Sequence, residues 1–244
     1  MKLALLVSLL AGLATGLGGM LIAFLPQVSR RVYDTLLGFS AGVMLAAGSI
    51  TLLWPALRSG TIVTGSAGLL AGALLVYLLE RAIPHLEPHF APELSGRGKR
   101  LGMLLAAALT IHHVPEGLAI GVAFASESKS LGLIVALAIA LQNIPEGLAV
   151  AMPLRAAGAS RARAILWSSA SGLTEPLAAA LGVWCARMLN GMLPFGMAFA
   201  AGAMIFLASD QLIPESHAHS DSKSPSLGLI SGFVLLAALT KIVY

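Results

Sequence analysis

The sequence predicts an all-α integral membrane protein: a single polytopic domain over residues 1–244, with eight transmembrane helices in a 3+2+3 inverted-repeat arrangement. Three observations lead there. Only 11% of the 244 residues are charged and 57% are hydrophobic, for a mean hydropathy of +0.88, whereas a soluble domain carries about 25% charged residues. Eight apolar stretches each approach the roughly 20 residues that cross a bilayer as a helix. One motif occurs twice, 30 residues apart, as Ile111-His-His-Val-Pro-Glu-Gly-Leu-Ala119 and Leu141-Gln-Asn-Ile-Pro-Glu-Gly-Leu-Ala149. This composition argues against a soluble single-domain enzyme. It argues equally against a nucleic-acid binder, which needs a basic face, because the pI of 9.6 rests on a surplus of only four positive charges.

In chain order the predicted spans cover about 3–25, 34–57, 60–83, 101–125, 130–153, 162–188, 192–213 and 226–243. The first follows Lys2, runs longer than a signal-peptide core and reads as a retained helix. The longest connection is 84–100, rich in Pro, Gly and charge, so no extramembrane domain is expected. Cys185 is the single cysteine and falls inside a span, which leaves neither an internal disulfide nor a cysteine-based metal site. Lys2, Arg58, Lys129, Arg187 and Lys241 fall on one side of the predicted bundle, and the other ten of the 15 basic residues on the opposite side. The positive-inside rule then puts both termini outside the cell. Consecutive spans run in opposite directions, so the motif copies in the fourth and fifth spans are inverted relative to each other. Three spans precede the pair and three follow it, which gives an in-plane pseudo-two-fold. Transporters use such repeats to bind substrate at the repeat interface.

The placement of charge carries the functional argument. Glu116, Glu146 and Glu175 fall deep inside spans four, five and six, where an ionised carboxylate costs at least about 2.5–3.5 kcal/mol and marks a substrate path or proton relay. His112 and Glu116 are i and i+4 on one helix face, as are Gln142 and Glu146. His113 and Asn143 form a second, offset pair. Imidazole nitrogen with carboxylate and amide oxygen suits a borderline divalent ion such as zinc, with manganese or ferrous iron as alternatives. Pro115, Pro145 and Pro176 sit beside the three glutamates, where each removes a backbone hydrogen bond and disturbs the carbonyl four residues earlier, at Ile111, Leu141 and Gly172. In lipid those carbonyls need another partner. A single buried Glu or His is often only a helix–helix contact; two copies of a Pro-Glu-Gly motif, each with a His or Gln one turn earlier, point instead to a metal site.

The motifs His112-His-Val-Pro-Glu-Gly117 and Gln142-Asn-Ile-Pro-Glu-Gly147 resemble the paired signature of the ZIP family of divalent-metal transporters, in its bacterial GufA-like branch. Further stretches fit the same branch: Ala41-Gly-Val-Met-Leu-Ala-Ala47, Tyr77-Leu-Leu-Glu-Arg81, Ser171-Gly-Leu-Thr-Glu-Pro-Leu177 and Ser209-Asp-Gln-Leu-Ile-Pro-Glu-Ser-His217. The resemblance implies a first metal site at His112, Glu116, Gln142 and Glu146, with Met44 of the second span as a further ligand. A methionine among apolar neighbours is ordinarily core. It implies a second, adjoining site at His113, Asn143 and Glu175, bridged by Glu116 and Glu146. It further implies an eight-helix, often dimeric protein in which spans one, four, five and six slide against the rest and carry metal towards the cytoplasm. His85, Glu87, His89, Glu215, His217 and His219 would then receive the outgoing ion, or are solvated loop residues. Glu80 and Arg81 read as a headgroup contact at a span end, and Asp210 as part of the path. The sequence departs from the family at His113, where Asn is usual, and at Gln142 and Asn143, where His or Asp is common.

Three adjacent carboxylates in a low-dielectric site cannot all stay ionised. One divalent ion leaves one negative charge over, and a second leaves one positive charge in excess, so metal binding is expected to release a proton. An intramembrane zinc protease would show His-Glu-x-x-His on one helix, which the chain lacks, and no nucleophile with a base stands out. The reading is therefore a multi-pass transporter of the inner (cell) membrane and not an enzyme. Its cargo is Zn2+, or Cd2+, Fe2+ or Mn2+, and it needs no prosthetic group. Its partners are divalent ions, the bilayer and a second copy of the chain as homodimer, with no nucleic acid. A metal-selective channel or a proton-coupled exchanger would use the same ligands.

Overall fold

A computed structural model describes residues 1–24, 28–90, 112–126, 128–188, 191–218 and 222–243, with only the helical backbone for 83–90 and 243. The described residues are helical, with no strand among them. The helices are α1 (Lys2–Phe24), α2 (Arg30–Ser59), α3 (Ile62–Phe90), α4 (112–125), α5 (Lys129–Ala156), α6 (Arg161–Ser171), α7 (Thr174–Met188), α8 (Leu193–His217) and α9 (Ser224–Val243). Serine hydroxyls start three of them: Ser29, Ser128 and Ser160 accept from the backbone N–H three residues on, which satisfies one orphan donor of the first turn. Gly158, at φ 86°, ends α5 in the left-handed conformation that a side chain resists.

Among the described residues six helices are long and apolar enough to cross a membrane: α1, α2, α3, α5, α8 and α9. The predicted fourth span lies partly outside the described residues. The predicted sixth is broken at Gly172–Leu173 into α6 and α7, each too short to span alone. Here Ser171 Oγ donates to the Ser168 carbonyl and Thr174 Oγ1 to the Ser171 carbonyl, both at 2.8 Å. Helix α5, by contrast, continues through Pro145 and Pro153. The third span was expected to end at 83, yet α3 continues to Phe90, because hydropathy marks the end of the apolar stretch and not the end of the helix. The expected loop residues His85, Glu87 and His89 therefore lie on helical backbone, and their side chains are outside the described set. Ile111 and His219 also fall outside it.

The helices pack in two groups. In one, α1 lies against α5, α6 and α7, and α4 lies against α7 through Gly117 and Gly121. In the other, α2 lies against α9 and α3 against α8. Without side-chain volume at the contact, backbones approach closely and carbonyls meet Cα–H groups. Gly42 meets the Leu229 carbonyl and Gly202 the Leu69 carbonyl; Gly72 meets that of Phe199 and Gly232 that of Phe39. A Cβ on any of the four would overlap that oxygen. These contacts recur at one offset, since 160 residues carry Gly42 to Gly202, Leu69 to Leu229, Phe39 to Phe199 and Gly72 to Gly232. The same offset carries Gly12 to Gly172, and these two glycines touch each other.

α2 and α8 share a second feature. Each passes through a π-helical stretch, Ala47–Leu53 and Ala208–Leu212, and each then resumes as a short α-helical end with a proline, Pro55 or Pro214, in its first turn. The two groups of helices meet where α2 packs against α5.

Candidate metal centre

At that seam α4 and α5 present their motif residues to each other. His112, His113, Glu116, Gln142, Asn143, Glu146 and Glu175 are all at most 5% exposed. Gln142 Nε2 donates to Glu116 Oε1 at 2.6 Å. Asn143 Nδ2 donates to Glu175 Oε1 at 2.5 Å and to the Ala11 carbonyl at 2.8 Å. Both amides thus use their N–H groups on neighbours and keep their oxygens. His113 Nε2 lies 3.3 Å from Thr15 Oγ1 and 3.9 Å from Glu175 Oε1. Ligand atoms of His113, Glu116 and Glu146 all come within 4.8 Å of one another, a spacing one ion can bridge with small side-chain shifts.

Five buried oxygens here take no hydrogen bond: Glu116 Oε2, Gln142 Oε1, Asn143 Oδ1, Glu146 Oε2 and Glu175 Oε2. An unsatisfied buried acceptor costs about 1–3 kcal/mol, more if charged. Three carboxyl groups and two amide oxygens thus converge beside His113, a donor set of the kind a borderline divalent cation takes.

His112 is placed differently from its neighbour. It faces the Gln211 side chain of α8 and lines a cavity of about 410 Å³ with Tyr33, Asp210, Gln211 and Glu215. Gln211 Nε2 in turn donates to Glu80 Oε1 of α3. Glu80 therefore faces inward to Gln211, where a headgroup contact was expected, while exposed Arg81 lies on Tyr77. Asp210 lines the same cavity. Met44 is 1% exposed, one turn beyond Ser40 on α2.

Sequence reasoning missed three residues at this centre. Ser40 Oγ donates to Glu146 Oε1 at 2.7 Å and stands 3.4 Å from the Gln142 carbonyl, reaching across the seam from α2. Thr15 brings α1 to His113. Gln211 links His112 to Glu80. Lone polar residues on apolar helices have no periodic signal; for Thr15 one clue was its position, 160 residues before Glu175.

The family model described as ZIP Zinc transporter matches residues 91–240. The chain belongs to the ZIP family. It is 38% identical to the Zinc transporter GufA of Myxococcus xanthus, over 98% of both chains. To the Zinc transporter ZIPB of Bordetella bronchiseptica it is 42% identical, over 93% of this chain and 76% of that one. The Zinc transporter ZupT of Corynebacterium glutamicum is 36% identical over 95% of both. The motifs at His112–Gly117 and Gln142–Gly147, and the glutamate at 175, all lie within the matched ZIP region.

Proposed function

We propose that this ZIP protein carries zinc into the cytoplasm, with cadmium, ferrous iron and manganese as further cargo, through a two-ion site at the seam between its helix groups. The observation that carries this is the set of five buried acceptor oxygens beside His113, Glu116 and Glu146. The first ion takes His112, Glu116, Gln142 and Glu146, with Met44 as its neighbour on α2. The second takes His113, Asn143 and Glu175, with Glu116 and Glu146 shared. The relatives' names as zinc transporters agree with this cargo and point away from an enzyme.

The same reading takes α4, continued upstream, as the fourth of eight spans and α6 with α7 as the sixth. The 160-residue offset supports a 3+2+3 inverted repeat, in which Gly12 and Gly172 meet at the pseudo-two-fold. Movement is elevator-like. The group of α1 and α4–α7 slides against the group of α2, α3, α8 and α9, and the glycine-to-carbonyl contacts described above hold each group together from within. The positive-inside rule places the His112 cavity on the cytoplasmic side and both termini outside the inner membrane. On the other side Leu131, Val135, Ala138 and Ile139 of α5, all at most 2% exposed, close the path with apolar side chains. The protein works as a homodimer.

Zinc entry into proteoliposomes tests this. Wild-type protein should give a saturable signal, which distinguishes a carrier from a channel, and Glu146→Ala should lower it by at least the tenfold to hundredfold that loss of a ligand's own supporting partner costs. Equal leakage through both proteins would exclude the site as a zinc path. Because the ligands must shed protons to bind metal, apparent affinity should rise from about pH 5.5 to 7.5, the range in which an imidazole titrates. A flat profile across that range counts against proton release.

A further inference from the structure

The seam between the helix groups has a second cavity, at the opposite end from His112. Helices α2 and α5 are antiparallel: the start of α2 and the end of α5 frame the His112 cavity, whereas the end of α2 and the start of α5 frame this one. It encloses about 470 Å³ between Thr51, Trp54 and Arg58 of α2, Thr240 and Lys241 of α9, and Leu131 of α5. Its charge is opposite to that of its counterpart. Among the described residues, Asp210 and Glu215 line the His112 cavity with no Lys or Arg, while Arg58 and Lys241 line this one with no Asp or Glu.

Three further features describe what fits there. The Arg58 guanidinium lies 5.1 Å above the Trp54 ring, a cation–π contact that holds the charge at the cavity mouth. The Thr51 and Thr240 hydroxyls sit 3.4 Å apart at its buried base. The rest of the lining is apolar, and the flank beside it is membrane-facing, with Trp54 56% and Ile242 80% exposed. Tryptophan at a span end takes the headgroup level of a bilayer. A small inorganic anion would meet the cations and leave the apolar wall uncovered. An amphiphile with a phosphate satisfies both.

We propose that this cavity binds an anionic phospholipid, with its phosphate between Arg58 and Lys241 and its glycerol end and upper acyl chain along the apolar wall. Leu131 belongs to one helix group and the two cations to the other, so the lipid bridges the seam. Binding is independent of metal and is therefore tested apart from transport.

The experiment measures lipid retention by the full-length protein, delipidated in detergent and free of metal, by native mass spectrometry with equal phosphatidylglycerol and phosphatidylcholine. Wild type should prefer phosphatidylglycerol by about tenfold or more, given the attraction each basic residue exerts on anionic lipid. Arg58→Gln with Lys241→Gln should abolish that preference, and Arg58→Lys should retain most of it. Arg58 and Lys241 are exposed, so both variants should fold; gel filtration confirms this, and Lys241→Gln alone should give an intermediate preference. Equal retention of the two lipids by wild type, or an unchanged preference in the double variant, would overturn the proposal. So would displacement of phosphatidylglycerol by millimolar inorganic phosphate, which would assign the cavity to a free anion.

Discussion

At matching positions in the two halves of the chain the backbone contacts agree and the side-chain chemistry does not. Gly42 lies against one carbonyl and Gly202, 160 residues on, against its counterpart. Two residues before them, Ser40 donates to Glu146, whereas the second half has Ala200. Thr15 meets His113 on one side of the centre, and Glu175 meets Asn143 on the other. The first pair joins a hydroxyl to an imidazole, and the second brings a carboxylate. Glycine contacts leave little latitude, because any Cβ displaces a neighbouring backbone. Ligand positions can diverge as long as the pocket stays satisfied. The two halves therefore keep a common frame around an asymmetric site.

The largest effects should fall on the shared frame. Gly42→Val and Gly202→Val should destabilise alike, at the upper end of overpacking costs, about 3 kcal/mol, or about 6–12 °C in thermal midpoint. Thermal unfolding in detergent checks this, and tolerance of one substitution but not the other would break the equivalence of the halves. Next come the divergent positions. Glu175→Gln should weaken the second ion about tenfold or more and lower stoichiometry from two ions towards one, as loss of a ligand's charge requires. Thr15→Val should cost a few-fold at most, because it removes one neutral hydrogen bond. Calorimetric titration separates the two, and equal losses would mean that the first side is a full ligand pair. Ser40→Ala should fall between these two, about tenfold in affinity, through the lost donor to Glu146. Zinc titration of that variant with no change in affinity would make the Ser40 bond incidental to binding.

Six apolar spans and the two motif copies were legible because each leaves a dense signal. Apolar stretches fill whole windows, and the two Pro-Glu-Gly copies share consecutive residues. The 160-residue relation was not legible in the same way. It survives in Phe39-Ser-Ala-Gly-Val-Met44 against Phe199-Ala-Ala-Gly-Ala-Met204, and in Gly68-Leu69 and Gly72 against Gly228-Leu229 and Gly232, scattered among interchangeable apolar residues. Three prolines predicted three loosened helices, yet α5 continues through Pro145 whereas the sixth predicted span divides before Pro176. Proline states where a bond is lost; neighbours such as the Gly12–Gly172 contact and the Ser171 and Thr174 hydroxyls decide whether the chain separates there. Ser40, Thr15 and Gln211 lie on different helices from the residues they hold, and no local pattern connects them.

The π-helical stretch in α2 bears on how this chain can change in length. Such a stretch accommodates roughly one more residue than an α-helix over the same rise. Removing a residue from Ala47–Leu53 would let that stretch close into ordinary α-helix and leave both flanks in phase. Removing one between Gly38 and Gly42 would instead rotate everything beyond it by about 100° and turn Gly42 away from α9. Length variation in this helix is thus confined to a short slack segment, and the same holds for Ala208–Leu212 in α8, where a gained or lost residue would alter the azimuth of Asp210 and Gln211 without disturbing the glycines at 196 and 202.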